Sequence, residues 1–211
     1  DCIPNVSFFN FCKILLEKHR NNKTIMQING TNLDIDYSTL IDDTYFFSKL
    51  NHTWGWASWK RAWIKFDKKF ENYPIVKKNG LIQKYYVDKE ITNWMIRYFD
   101  KSFKNKDNIW STNWSFSILK EDGLCISPTL NLVKNIGFDG SGTSGKAKKF
   151  AKFFTQENFE INNFQHPKEI NYNLKLDQKL FYEKIKPVDP RASTLNIKEW
   201  FLNIKKRLIK N

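Results

Sequence analysis

Apolar positions along the chain switch between a helical and an alternating rhythm. In NVSFFNFCKILLEKHRNN, residues 5–22, Phe8, Phe11, Cys12, Leu15, Leu16 and His19 recur at the spacing of one helix face. Asn5 or Ser7 can cap its start, and Asn21-Asn22 ends it. KTIMQING, residues 23–30, is short and apolar and stops at Gly30, which reads as a strand; TYFFSKL, residues 44–50, reads as a second. Residues 31–43 between them are polar and loop-like. From Ala57 to Asp67 the pattern predicts a helix, with Trp56, Trp59 and Trp63 on one buried face and Trp54 lying before it, beside Gly55. KEITNWMIRYFDKSF, residues 89–103, predicts a helix with Ile91, Trp94, Met95 and Tyr98 on one side. NWSFSILKEDG, residues 113–123, predicts another that ends at Gly123, and LCISP, residues 124–128, a strand closed by Pro128. This alternation predicts α/β architecture.

The pattern then breaks. NLVKNIGFDGSGTSGKAKKF, residues 131–150, carries glycines at 137, 140, 142 and 145 and reads as a mobile loop. The sequence divides into residues 1–145 and a basic, irregular extension, 146–211. The extension ends in an amphipathic helix, about Leu195 to Lys210. Its stripe of Ile197, Phe201, Ile204 and Leu208 would bury against the domain or against an anionic membrane surface. No apolar run approaches the 18 residues that a membrane-spanning helix requires.

Composition narrows the function classes. Hydrophobic content of 41% and charged content of 27% describe a globular chain. The net charge of +13 would attract nucleic acid, anionic lipid or phosphorylated substrates, although abundant Lys, Asn and Ile also accompany an AT-rich genome. No nucleic-acid-binding signature is present, so no specific nucleic-acid partner is expected. Three cysteines without a CxxC pair and three scattered histidines argue against a disulfide scaffold or a zinc cluster.

Three stretches could carry chemistry. Trp54, Trp56, Trp59 and Trp63 hold four of the eight tryptophans within ten positions. Most of that face reads as core, but Trp54 next to Gly55 leaves room for a sugar or nucleobase to lie against the ring. Gly137, Gly140 and Gly142, with Ser141, Thr143 and Ser144, could present N–H groups and hydroxyls to a phosphate, or form a plain linker. Asp34 and Asp36 form a DxD pair able to hold Mg²⁺ or Mn²⁺, though a match this short in a polar loop is better explained by chance.

Together, DCIPNVSFFNFCKILLEKHRNNKTIMQINGTN, YFFSKLNHTWGWASWKRAW and GLCISPTLNLVKNIGFDGSGTS resemble the C-terminal two-thirds of bacterial GT-A, family 2-like glycosyltransferases. The resemblance covers roughly residues 1–145. It implies a Rossmann-like α/β fold whose N-terminal nucleotide-binding half would lie upstream, so this piece alone is expected to be inactive. It implies transfer of a sugar from a nucleotide-diphosphate donor to a saccharide or lipid-linked acceptor, in bacterial surface polysaccharide or glycolipid synthesis. The setting implied is the cytoplasm, peripheral at the inner face of the membrane.

Asp1, followed by Cys2 and Pro4, matches the last acidic residue of the family's EDDC motif and would be a ligand of a divalent metal, Mn²⁺ or Mg²⁺. Trp54, Gly55, Trp56, Trp110 and Trp114 would shape the sugar or acceptor pocket. Asn135, Gly137, Asp139, Gly140, Gly142 and Thr143 would lie on the loop that closes over the donor. The chain departs from the pattern at Ser144, where relatives often carry His, and in NIWSTNW, where acidic positions hold Asn108 and Ser111. The nearest carboxylate, Asp107, becomes the candidate base. The alternatives are a basic module for nucleic acid or anionic membrane, and a transferase-like protein without activity.

Overall fold

The computed structural model describes residues 1–105, 109–137 and 164–188. Candidates Asp107, Asp139, Gly140, Gly142 and Thr143, and the amphipathic stretch Leu195 to Lys210, lie outside the described residues.

The described chain is α/β. Strand β1 (Cys2–Pro4) leads into helix α1 (Val6–Lys18), capped by Asn5, whose side chain accepts a hydrogen bond from the Ser7 amide at 2.8 Å. Strands β2 (Ile25–Asn29), β3 (Tyr45–Ser48) and β4 (Trp56–Ser58) follow, then the helical turn α2 (Lys60–Trp63). A helical layer is built from α3 (Tyr73–Lys78), α4 (Leu81–Tyr86), α5 (Lys89–Asn105) and α6 (Trp110–Lys120). Strands β5 (Leu124–Pro128) and β6 (Val133–Asn135) come next. Helix α7 (Leu174–Leu180) continues into a π turn, Phe181–Ile185, and a 3₁₀ turn, Lys186–Val188.

The main sheet has the order β3-β5-β2-β4, with β2 and β5 parallel and both edge strands antiparallel. Its two faces bury separate cores, as expected of strands alternating side to side. Ile25, Ile28, Tyr45, Phe47 and Ile126 pack with Phe11 and Leu15 of α1. Met26, Phe46 and Cys125 pack with the helices, against Tyr86, Phe99 and the fully buried Trp114. Residues 164–188 join the same structure. Leu176, Leu180 and Phe181 enter the helical-side core, and Tyr172 bridges to Phe47 of β3.

Three expectations about local structure change. Trp56–Ser58 is not helical but an edge strand paired with Gln27, Ile28 and Asn29, and only Lys60–Trp63 turns helically. The strand satisfies backbone groups that a helix there would have left off the sheet edge. The bend at Trp59 still gathers Trp56 and Trp63 into one aromatic cluster, which is why the spacing imitated a helix face. Trp63 is 41% exposed rather than buried. It stacks on Phe66 at 4.8 Å and covers the edge of Trp114 at 5.0 Å. Trp59, half-buried, donates from Nε1 to the Leu16 carbonyl at 2.9 Å, while Arg61 lies over its ring and bonds the His19, Arg20 and Ile25 carbonyls. Finally, Val133–Asn135 of the expected loop pairs as a strand with Cys2–Pro4.

Candidate functional site

The loop from Leu50 to Gly55 connects β3 to the edge strand β4. A short apolar-looking strand holds it in place. The register slips between Ile25 and Gln27, and two buried amides on β2 face the loop and α6. Gln27 donates from Nε2 to the His52 carbonyl at 2.7 Å and to Asn29 Oδ1 at 2.6 Å, and accepts from Trp114 Nε1 at 2.6 Å. Asn29 accepts from the His52 amide at 3.0 Å and donates to the Leu50 carbonyl at 3.1 Å. Buried amides are costly unless satisfied, and here each is spent on fixing this loop.

The loop forms one wall of a cavity of about 310 Å³, near the lower end of the range for small-molecule sites. Asn51, His52, Thr53 and Trp54 line it from the loop; Trp94, Met95 and Tyr98 line it from α5; Ser111 and Ser115 line it from α6. Trp94 and Tyr98, one helical turn apart, stack at 5.7 Å with planes 1° apart. Ser115 donates to Asn51 Oδ1 at 2.7 Å. His52 keeps partial exposure, but its Nε2 is enclosed and has no hydrogen-bond partner. Burial pushes its imidazole down to about 4 from an ordinary value near 6.5, so the ring is neutral at physiological pH.

Another wall comes from residues 183–187, through Glu183, Lys184, Ile185 and Pro187. The π turn there is of a kind concentrated at functional sites. Asp177, fully buried, ties this segment to β3 by accepting from Ser48 Oγ at 2.6 Å and the Lys49 amide at 2.9 Å. Burial outweighs those bonds and pushes its carboxyl up to about 7. Lys49 adds a hydrogen bond to the Tyr85 carbonyl and lies over the Tyr85 and Tyr172 rings.

The sequence candidates fall into separate groups. Trp54 lines the cavity. Trp56 stacks on the half-exposed Trp110 at 5.6 Å, outside the lining, and Trp114 is wholly buried beneath them as the partner of Gln27. Gly55 serves a close approach. Its φ is +62°, its carbonyl accepts from the Gly30 amide at 2.8 Å, and a Cβ there would meet Val133 Cγ2 at 2.5 Å.

Asp1 sits at the outer end of β1, where Ile136 N donates to its carbonyl at 2.8 Å. A Cβ on Gly137 would meet its Oδ2 at 2.6 Å. Asp1, Asn135 and Gly137 therefore share one edge, and none of them lines the cavity. The Asp34–Asp36 pair serves the loop: Asp36 accepts from the Ser38 amide at 2.9 Å and stays exposed. Among the described residues, no three His, Cys, Asp or Glu side chains come together as a metal site.

Sequence inspection missed Gln27, Asn29, His52, Ser115 and the cavity wall beyond residue 180. The only available signal was two amides inside an otherwise apolar strand. No protein-family model, curated protein or solved structure matches the chain. No described helix is long and apolar enough to cross a membrane.

Proposed function

We propose that this chain is the acceptor-side part of a GT-A-type glycosyltransferase, one that moves a sugar from a nucleotide-diphosphate donor onto a hydroxyl of a saccharide or lipid-linked acceptor. The observation that carries the reading is the cavity, whose lining combines the aromatic Trp54, Trp94 and Tyr98 with the polar Asn51, Ser111 and Ser115. Sugars offer an apolar ring face to aromatic walls and hydroxyls to a few fixed polar groups. The resemblance of the WGWASW and NLVKNIGFDGSGT strings supports the same reading.

In this reaction the acceptor oxygen attacks the anomeric carbon, the nucleoside diphosphate leaves, and a carboxylate takes the acceptor proton. The resemblance gives that last role to Asp107. A divalent cation would neutralise the leaving diphosphate, and Asp1 suits it chemically, as an exposed oxygen donor on the edge it shares with Asn135 and Gly137. Asp1 would supply one ligand to it. The resemblance gives the loop from Asn135 to Ser144 the role of closing over the donor and excluding water. The same reading places the protein in the cytoplasm, acting on acceptors at the inner face of the membrane.

The test is a glycan array probed with the 211-residue chain and with Trp54→Ala. Retention of bacterial surface glycans that is lost in the variant is the expected result. Equal retention by the variant, or binding only to nucleic acid with a steep salt dependence, refutes the reading and favours a basic binding module.

A further inference from the structure

We infer that the protein rests on an anionic lipid bilayer through the surface that carries Trp63, Ile64, Ile109 and Trp110, beside the cavity. Docking stands on this surface alone. Joined to the acceptor-site reading above, and resting on it for this step, it selects a lipid-linked acceptor over a free saccharide.

The aromatic cluster is left open to solvent here. Trp56 lies against Trp110 at 5.6 Å and against Trp63 at 5.7 Å, and both Trp56 and Trp63 touch the buried Trp114. Yet Trp110 and Trp63 stay 43% and 41% exposed, and their chain neighbours Ile109 and Ile64 stay 45% and 70% exposed. Two indoles and two isoleucines left in water around one cluster forgo the stabilisation that burial gives, so the patch marks a surface that something covers.

Charge and residue type decide what covers it. Five of the ten residues from 60 to 69 are Lys or Arg, against one Asp. That Asp67 is held by Lys120 at 2.8 Å, and Arg61 is spent on backbone carbonyls. Lys65 pairs with Glu121 at 3.3 Å and Lys69 with Glu71 at 3.7 Å, whereas Lys60 and Lys68 are exposed and make no ion pair among the described residues. Lys60 begins the helical turn that Trp63 ends. Asn113, one helical turn from Trp110, donates to the Lys68 carbonyl at 2.8 Å and seats it against α6. Indoles favour the boundary between headgroups and acyl chains, isoleucines enter just below it, and lysines reach back to the phosphates. A second copy of the chain would set these lysines against one another. Nucleic acid would satisfy the lysines but give the isoleucines nothing to bury against.

The location gives docking a consequence. Ser111, next to Trp110, and Trp54, two residues before Trp56, both line the cavity. A bilayer seated on this surface lies beside the cavity, within reach of a sugar carried on a lipid.

Co-sedimentation of the 211-residue chain with vesicles of phosphatidylcholine alone, and of equal parts phosphatidylcholine and phosphatidylglycerol, tests this. Quenching of tryptophan emission by brominated acyl chains in the same vesicles is the second readout. The expected result is binding to the anionic vesicles that weakens with salt, with part of the emission quenched; Trp63→Phe and Trp110→Phe should each reduce the quenching. Ile64→Glu with Ile109→Glu, and separately Lys60→Glu with Lys68→Glu, should each weaken binding about tenfold or more, since one basic residue near an anionic bilayer contributes about fivefold. All four positions are exposed, so the Tm of both double variants should stay within about 4 °C of the parent, which separates lost docking from lost folding. A parent chain that ignores anionic vesicles, or either double variant binding them as tightly as the parent, overturns the inference. The two readings fail separately: a chain that docks on vesicles but retains no glycan loses the acceptor-site reading and keeps this one, and glycan retention without docking does the opposite.

Discussion

Replacing Gln27 with Leu tests whether the buried amide network holds the cavity together. The two side chains are close in volume, so little cavity is created, and the loss is almost entirely polar. Three hydrogen bonds disappear: Trp114 Nε1 to Gln27 at 2.6 Å, and Gln27 to the His52 carbonyl at 2.7 Å and to Asn29 Oδ1 at 2.6 Å. Asn29 Oδ1 keeps the His52 amide as a donor. Two groups are left without a replacement: the indole N–H of a wholly buried tryptophan and a half-buried loop carbonyl. Each unsatisfied group costs about 1–3 kcal/mol, which gives about 2–6 kcal/mol in all. For a chain of this size, about 2–4 °C of Tm is lost per kcal/mol, so Tm should fall by roughly 4–24 °C. Circular dichroism melts and urea titrations read this directly. The loop should loosen as well, so glycan binding should weaken even well below the new Tm. A Tm within about 2 °C of the parent, with binding unchanged, would refute the claim that Gln27 holds the loop.

Two further outcomes follow from the geometry. Gly55→Ala forces a side chain onto a positive-φ residue with Val133 2.5 Å from the new Cβ, and should destabilise by about 2–4 kcal/mol while displacing Trp54; a urea midpoint equal to that of the parent would contradict this. Asp177 and the histidines oppose one another in pH. Burial raises Asp177 to about 7, so its burden grows as pH rises from about 4 to 7; burial lowers His19 and His52 to about 4, so their contribution is present above about 6.5 and is lost as pH falls through 4. Asp177→Asn should therefore unmask the histidines. Its urea-derived stability should drop more steeply than the parent's between pH 6.5 and pH 4, and parallel curves would exclude the assigned Asp177 shift.

Much of the secondary structure was legible because local pattern and burial agree. Phe8, Phe11, Cys12 and Leu15 repeat at helical spacing and do face the sheet, and Asn5 caps that helix as its residue type predicts. The strands at Ile25–Asn29, Tyr45–Ser48 and Leu124–Pro128 were equally plain, since each is a short apolar run bounded by turn residues. The tryptophan segment misled because helical spacing and an edge strand followed by a bend both bring Trp56 near Trp63. Which of the two forms depends on whether β2 offers a free edge, and that is a property of the sheet rather than of residues 56–63.

The candidate site was less legible for the same reason. Trp54 beside Gly55 signalled a ring next to open space, and the ring does line the cavity. What the ring faces was decided by contacts far apart in sequence: Ser115 against Asn51, Gln27 against His52, and Asp177 drawing residues 183–187 across from β3. Periodicity records which side of an element is apolar, because burial acts on each residue where it stands. It carries no record of which distant backbone group a buried amide will satisfy, since that pairing exists only once the chain has closed. The sequence by itself therefore determined the α/β elements and singled out Trp54. Tertiary structure alone decided the polar groups that make the wall a site, because their partners lie tens of residues away.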